Sequence, residues 1–179
     1  MQRLLLLIAV LALGACSPLL VQQAGLPPAG FRGPVLANEA FVSFDGARLG
    51  LTTWPARAEP RAVVVAVHGM NDYANAFHLA APYWAEHGVT TYAYDQRGFG
   101  RSPNRGVWGG EALMVEDLRT AVGLARARHP GLPVVVVGES MGGSVAITAF
   151  ASERPPAADR LILLAPGVWG WSNQPLPYK

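Results

Sequence analysis

Apolar residues follow two spacings that alternate along the chain from about residue 41 onward. Runs rich in β-branched and aromatic residues, typical of strands, occupy residues 41–45, 49–54, 61–67, 89–94, 133–138 and 160–165. Between the later runs, apolar residues recur every three or four positions, which predicts helices at residues 74–87, 111–128 and 143–152. This alternation favours an α/β fold with a doubly wound, mostly parallel sheet of about six strands. The first two runs, separated by a turn at Gly46, are predicted to form an antiparallel edge hairpin.

The most uniformly apolar strand is the four-valine run at residues 134–137, which leads into a serine between glycines. Strands buried on both faces of a parallel sheet show such continuous runs rather than alternation. Gly138, Ser140 and Gly142 form the G-x-S-x-G pattern of a nucleophile elbow, in which a strained turn exposes the serine hydroxyl. Ser140 is therefore predicted to be a catalytic nucleophile. The alternative is a packing turn in which Ser140 only caps the helix, and this explains one glycine but not the set.

The first 15 residues carry the pattern of a secretory signal peptide. Arg3 precedes an apolar run at residues 4–13, which is shorter than the roughly 20 residues that span a bilayer as a helix. The sequence Leu-Gly-Ala-Cys at residues 13–16 resembles the lipobox of bacterial lipoproteins, which implies lipid attachment at Cys16. Ordinary secretion with an incidental cysteine and an uncleaved helix are the alternatives. Ser17 resembles the signal that directs enterobacterial lipoproteins to the outer rather than the inner membrane of the cell envelope.

Composition predicts one domain after this leader. The chain has 179 residues, of which 51% are hydrophobic, enough for one sizeable core. Residues 16–37 are rich in glycine, proline and small residues and are predicted to be a tether, so the domain is expected at residues 38–179. A net charge of +2 without a basic run gives no indication of nucleic-acid binding. No metal-ligand cluster, disulfide or cofactor is predicted, and the oligomeric state stays open.

Three loops carry a resemblance to a known family. His68-Gly69-Met70, the sequence Asp-Gln-Arg-Gly-Phe-Gly-Arg-Ser at residues 95–102 and Gly-Glu-Ser-Met-Gly-Gly at residues 138–143 come in the order seen in the α/β-hydrolase superfamily. Over about residues 41–171 the chain is similar to the monoacylglycerol lipase and lysophospholipase branch of serine hydrolases. The resemblance implies cleavage of carboxylic esters of lipids, with the backbone N–H groups of Met70 and Met141 forming an oxyanion hole.

Other polar residues are weaker candidates for catalysis. His68 lies in the oxyanion loop, where the family uses histidine to shape the turn. Asp95 ends a strand at the expected active-site edge, but its loop more often braces the structure through its arginines. Glu139 is the variable elbow residue, and Asp159 begins its strand and so is expected at the opposite end of the sheet. The remaining histidines, which fall within or at the ends of predicted helices, are expected to be surface or capping groups: His78, His87 and His129.

The pattern departs from the family after the elbow. Family members supply the nucleophile, an acid and a histidine in that chain order, yet no histidine follows His129 here and no acid follows Asp159. Trp169 and Trp171 would be the first lid residues, and the strand at residues 160–165 would be an open apolar edge. The expectation is that these residues are the front part of a longer gene product and that this chain alone has little or no esterase activity.

Three functions remain as hypotheses. The first is a lipid-anchored serine hydrolase that acts on monoacylglycerols or lysophospholipids at a membrane. The second is a non-catalytic surface lipoprotein that keeps the front half of a hydrolase as an interaction module. The third is an acyltransferase with the same elbow, in which an alcohol instead of water accepts the acyl group.

Overall fold

The computed structural model of the chain describes residues 20–168. The predicted signal peptide, the candidate lipid-attachment residue Cys16 and the candidate lid residues Trp169 and Trp171 lie outside the described residues. Within the described range, no helix is both long enough and apolar enough to cross a membrane.

Seven strands within residues 20–168 form one sheet. In chain order they are β1 (Val35–Leu36), β2 (Ala40–Val42), β3 (Arg48–Trp54), β4 (Ala62–Val67), β5 (Val89–Tyr94), β6 (Val134–Glu139) and β7 (Arg160–Leu164). Their order across the sheet is β1-β2-β3-β5-β4-β6-β7. The last four run parallel to one another, whereas β1, β2 and β3 join in antiparallel pairings at one side. The predicted α/β sheet and its edge hairpin are confirmed, with the short β1 added to the six predicted strands.

Three α-helices of the described chain cover the two faces of the sheet: α1 (Ala80–Glu86), α2 (Glu111–Arg128) and α3 (Met141–Phe150). Val63 and Val65 of β4 pack with α2 and α3 in the larger core cluster. Val64 and Ala66 pack with α1 in the smaller cluster on the other face. Successive side chains of a strand point to opposite faces, so the continuous apolar run of β4 supplies both cores.

The helix predicted at residues 74–87 is divided in two. A short 3-10 turn spans Ala74–Phe77, and α1 begins only at Ala80. Pro82 explains the break, because a proline ring clashes with the carbonyl four residues earlier and lacks an N–H, so it is tolerated only in the first turn of a helix. Gly88, whose φ is 81°, ends α1 as predicted.

α2 has the bounds predicted from the sequence, and its predicted apolar stripe is buried: Met114, Leu118, Val122 and Ala125. It also buries Asp117, an acid that the helical pattern alone does not assign to the core. α3 begins at Met141, two residues before its predicted start and directly after Ser140. β7 forms one edge of the sheet and leaves aliphatic side chains exposed, as expected: Ile162, Leu163 and Leu164.

The segment predicted to be a tether, residues 16–37, contacts the domain at several points of its described part, although residues 23–30 are exposed. Leu36 is buried and pairs with Phe41 between β1 and β2. Nearer the N-terminus, the N–H of Gln22 donates to the carbonyl of Trp108 over 2.8 Å. Contacts with the folded domain therefore begin well before residue 38. Composition does not reveal them, because the partners are backbone groups of loops distant in the sequence.

Candidate active site

Ser140 is the single residue between β6 and α3, and its backbone is strained. Its φ of 48° and ψ of −115° lie outside the regions that L-residues favour. Its N–H donates to the carbonyl of Leu164 in β7 over 2.9 Å, and its carbonyl accepts from the N–H of Gly167 over 2.9 Å. These bonds hold the turn, and the strand-turn-helix context predicted for an elbow is present.

The glycines on both sides of Ser140 are required by close backbone packing. A Cβ on Gly142 would overlap the carbonyl oxygen of Val67 at the end of β4. A Cβ on Gly138 would lie 2.7 Å from the carbonyl oxygen of Gly142. Only glycine therefore lets α3 begin so close to the sheet. A simple packing turn would need these glycines as well, but it would not need the strained backbone of the serine.

The oxyanion loop predicted after β4 lies against the serine. A Cβ on Gly69 would be 3.2 Å from Cβ of Ser140 and 3.8 Å from its Oγ. Within residues 20–168, neither the N–H of Met70 nor that of Met141 donates a hydrogen bond. Met141 is the first residue of α3, so its N–H belongs to the positively polarised end of the helix. Two unengaged donors thus lie on the two segments that flank the serine side chain.

His68 is buried, and both of its ring nitrogens are occupied. Nδ1 lies 2.7 Å from the carbonyl oxygen of Gly69, and Nε2 lies 2.9 Å from the backbone nitrogen of Gln96. Because a carbonyl only accepts and an N–H only donates, Nδ1 carries the proton and Nε2 accepts. Burial lowers the pKa of His68, although the bond to Gly69 and the charge of Asp95 oppose this. The ring shapes the loop and has no free nitrogen that could serve Ser140.

Asp95, at the carboxyl end of β5, is fully buried and holds the loop that follows it. Its Oδ1 accepts from the N–H of Ala74 over 2.7 Å, and its Oδ2 accepts from the N–H of Arg101 over 2.8 Å. The Nε of Arg101 donates to the same Oδ2 over 3.1 Å. Both carboxylate oxygens are thus bonded inside the protein, which agrees with a bracing role.

Arg97 braces the same loop through two buried acids that the sequence analysis did not connect to it. Its guanidinium donates two hydrogen bonds to Asp45 and two to Asp117, with N···O distances of 2.7–2.9 Å. Burial raises the pKa of Asp117, and the bonds from Arg97 only partly offset it. At Asp45 burial also acts to raise the pKa, but the bonds from Arg97 and from two backbone N–H groups outweigh it and lower the pKa. Separations of 52 and 20 residues hide these pairs from sequence inspection.

The other histidines are engaged elsewhere. His129 lies at the end of α2, and its Nε2 is 2.8 Å from the hydroxyl of Tyr92. His78 and His87 are exposed, and the Nδ1 of each is 2.8 Å from a carbonyl oxygen three or four residues earlier. Their expected surface or capping positions are therefore observed.

The remaining acids that the sequence singled out do not join Ser140 in a catalytic group. Asp159 accepts from the N–H of Val134 at the start of β6, over 2.7 Å, which puts it at the opposite end of that strand from Ser140. Glu139 is the last residue of β6 and pairs with Leu164 in the sheet. No group of three or more His, Cys, Asp or Glu residues with metal-binding geometry occurs in the part of the chain that the structure describes.

A cavity of about 340 Å³ opens beside the oxyanion loop. It lies between residues 70–73 and residues 98–108, and its volume falls in the range of small-molecule sites. Met70 belongs both to the cavity wall and to the loop after β4, whose Gly69 lies against Ser140. The cavity lining combines apolar and aromatic side chains with one acid and one base: Met70, Tyr73, Phe99, Trp108, Asp72 and Arg105.

Several proteins similar in sequence to this chain are named as lipases. The chain is 35% identical over 133 residues to a monoacylglycerol lipase of Mycolicibacterium smegmatis, an alignment that covers 74% of this chain and 47% of the relative. It is 30% identical over 126 residues to a monoglyceride lipase of Rattus norvegicus, covering 70% of this chain and 41% of the relative. The chain therefore spans about half the length of the curated relatives it matches.

Solved structures show the same fold. A thermostable carboxyl esterase from Bacillus coagulans, in complex with glycerol, superposes with a TM-score of 0.61 at 27% identity over 69% of this chain and 42% of that one. A serine hydrolase without a lid from Xanthomonas campestris superposes with a TM-score of 0.61 at 23% identity, over 83% of this chain and 69% of that one. The family model described as serine aminopeptidase, S33, matches residues 58–179. Because that match covers more than half of the sequence, the chain belongs to the serine aminopeptidase S33 family of α/β-hydrolases.

Proposed function

We propose that the protein is a serine hydrolase that cleaves carboxylic esters of lipids, of the monoacylglycerol or lysophospholipid type, with Ser140 as the nucleophile. The observation that carries the proposal is the strained Ser140 turn beside two backbone N–H groups that have no partner in the described chain. Backbone strain costs stability, and it persists where it serves binding or catalysis.

In the proposed reaction, Oγ of Ser140 attacks the acyl carbonyl carbon, and its proton passes to a general base. The carbonyl oxygen becomes an oxyanion, which the N–H groups of Met70 and Met141 would bind. Each such donor typically contributes about 3 kcal/mol to lowering the barrier. The leaving alcohol takes up a proton, and water then cleaves the acyl-serine to release the fatty acid.

The substrate class rests on the relatives and on the cavity. Two relatives are named as lipases of monoglycerides. The cavity beside the oxyanion loop combines apolar side chains with charged ones, which suits the boundary between an acyl chain and a polar alcohol. Since the chain spans 47% of the mycobacterial relative, activity and substrate are proposed for the whole hydrolase.

This chain on its own is expected to have little or no activity, because none of its four histidines forms a hydrogen bond with Ser140 within residues 20–168. Loss of the catalytic histidine in subtilisin lowers turnover on the order of a millionfold. The same observation favours a second candidate function, a non-catalytic lipoprotein in which the fold acts as an interaction module.

Hydrolysis of p-nitrophenyl butyrate tests these proposals. The purified 179-residue chain should release no more nitrophenol than its Ser140→Ala variant, and Ser140-dependent turnover would contradict the expected inactivity. The longest product of the gene should be active and should react with a fluorophosphonate probe at Ser140. Ser152→Ala, which removes a hydroxyl just beyond the far end of α3 from Ser140, is the matched control and should keep both activity and labelling. Absence of labelling in that product would favour the interaction module.

We further propose that Cys16 carries a lipid anchor and that the protein resides in the bacterial cell envelope, at the outer membrane rather than the inner one. Support comes from the signal-peptide and lipobox pattern of residues 1–16. Metabolic labelling with an alkynyl fatty acid should tag the protein, and Cys16→Ala should abolish the tag. Labelling that survives this substitution would contradict the anchor.

A further inference from the structure

The described chain begins with a segment, residues 20–28, that we call the N-terminal strap. Val21 forms a parallel bridge with Trp108, and the N–H of Gln22 donates to the carbonyl of Trp108 over 2.8 Å. The side chain of Gln22 is buried, and its Nε2 donates to the carbonyl of Val107 over 2.8 Å. The N–H of Gly25 donates to Asp45 over 3.0 Å. These bonds fasten the strap to the domain.

The strap and the cavity share a wall. Val107 and Trp108, which receive the bonds from Gln22, also line the cavity beside the oxyanion loop. The side chain of Asn104, in the same loop, donates to Oε1 of Gln22 over 3.3 Å. The strap therefore fixes the position of the cavity relative to the start of the chain.

Chain length then limits how far the cavity can lie from Cys16. Five peptide units connect Cys16 to Val21, and a fully extended chain covers at most about 3.6 Å per residue, so the span is at most roughly 18 Å. A free tether over residues 16–37 could have reached roughly 75 Å by the same measure. Contact between the strap and the domain therefore shortens the greatest possible distance between Cys16 and the cavity wall.

The side chains around the cavity mouth suit a lipid surface. Of the residues that line the cavity, Met70 is 53% exposed and Tyr73 is 45% exposed. Arg105 is exposed and takes part in no ion pair within residues 20–168. Apolar side chains with a tyrosine are typical of the membrane interface, and a basic residue near anionic lipid headgroups contributes about 1 kcal/mol. Asp72 is the one acid in the lining and opposes this attraction.

We infer that the N-terminal strap holds the cavity, with its mouth at Met70, Tyr73 and Arg105, against the lipid surface in which Cys16 is anchored. A lipid ester would then enter the site directly from the membrane. The inference rests on the proposed anchor and deepens the proposed function.

Fluorescence quenching on vesicles tests this orientation. The full chain is made in its lipidated form with Ser140→Ala, so that hydrolysis plays no part, and acylation of Cys16 is verified by mass. A bimane label is placed at the cavity mouth by Arg105→Cys, or at the amino end of the parallel strands by Ala58→Cys, in the exposed loop between β3 and β4. In phosphatidylethanolamine and phosphatidylglycerol vesicles with a nitroxide-headgroup lipid, the label at position 105 should lose most of its fluorescence, and the label at position 58 should keep it.

Equal quenching at the two positions, or stronger quenching at position 58, would overturn the inference. A flexible Gly/Ser linker of about 20 residues, inserted between Ser17 and Pro18, should abolish the difference while the protein still sediments with vesicles. Unchanged quenching at position 105 would show that the strap does not hold the cavity there. If the chain is not acylated, both the proposed anchor and this inference are overturned. Hydrolysis by the longest gene product would be unaffected by that result. Failure of this inference is therefore distinguishable from failure of the proposed hydrolase function.

Discussion

Two loops at the carboxyl ends of the parallel strands differ in how completely their polar groups are hydrogen-bonded. The loop after β5 buries Asp95 and Arg97 and gives both side chains several hydrogen bonds. The turn after β6 leaves Ser140 half-buried in a strained conformation, beside N–H groups without a partner in the described chain. Both loops belong to motifs that the sequence displays clearly.

The difference shows how residues that stabilise a loop can be distinguished from residues that are candidates for catalysis. Polar groups that satisfy one another gain conformational uniqueness, but they have nothing left to offer a substrate. Donors that stay open, on a backbone held in strain by its neighbours, are prepared for a charge that develops only during reaction. The first loop thus provides the rigid support, and the second turn carries the proposed function.

The largest expected effect lies in the bracing loop. Arg97→Met should destabilise the chain by about 3–5 kcal/mol, because it leaves the carboxylates of Asp45 and Asp117 buried without a counter-charge. Urea unfolding measures this. Arg57→Met is the control, since Arg57 pairs with Glu86 at 3.9 Å with both side chains mostly exposed, and it should cost less than about 1 kcal/mol. Similar losses for the two variants would remove the distinction between the loops.

The N–H of Met141 should affect catalysis more than stability. Met141→Pro removes this N–H at the first residue of α3, and its ring also restricts the backbone of Ser140 before it. In the longest gene product it should lower kcat about 10²–10³-fold, whereas Met141→Leu, which keeps the N–H, should stay near the parent. Esterase assays paired with unfolding curves measure both effects. Full activity of the proline variant would exclude this N–H from the oxyanion hole.

Replacement of glycine by alanine should change the free energy of unfolding in opposite directions at the serine turn and in the middle of α2. Gly142→Ala should destabilise by about 1–3 kcal/mol, because its Cβ would meet the backbone of Val67. Gly123→Ala is the matched control in α2, where a Cβ meets nothing within 4 Å, and it should stabilise by about 0.5–1 kcal/mol. Thermal unfolding of both variants decides the point. Stabilisation by Gly142→Ala would show that the turn is not tightly packed.

Strain at the serine should be measurable as stored free energy. Ser140→Gly places a residue that tolerates positive φ at the strained position and should stabilise the chain by about 1 kcal/mol. Ser144→Gly, in the interior of α3, should instead cost about 1–2 kcal/mol, because it adds backbone freedom and removes the hydrogen bond from the Ser144 hydroxyl to the carbonyl of Gly167. Comparison of their urea midpoints with that of the parent tests the prediction. A loss of stability in both variants would argue against strain at Ser140.

The smallest expected effect is a pH dependence from His68 beneath the oxyanion loop. Burial lowers its pKa, so the unfolded chain binds more protons than the folded one below the ordinary value of 6.5. Stability should therefore be fully present above that value and should fall as the pH drops through and below it. Burial also lowers the pKa of His129, which adds in the same direction. Urea midpoints measured above and below pH 6.5 should vary less in His68→Gln, and a flat profile in the parent would contradict the prediction.

Much of the fold could be predicted because it depends on local pattern. The bounds of α2 and β5 follow from apolar spacing, and the glycine-serine-glycine pattern identifies the turn after β6. The break between the 3-10 turn and α1 was missed, although Pro82 carried a signal for it. The pairing of Arg97 with Asp117 was also missed, because an acid inside a helical pattern looks the same whether its partner is water or a buried arginine.

The sequence by itself determined the order of strands and helices, the position of the serine turn and the family, because each depends on neighbouring residues and their period. Only the tertiary structure decided which polar groups satisfy one another. It bonded Nε2 of His68 to the N–H of Gln96, joined Arg97 to Asp45 and fastened Gln22 to the cavity wall. These bonds join residues far apart in the chain, and hydrogen bonds over such separations exist only once the sheet has formed.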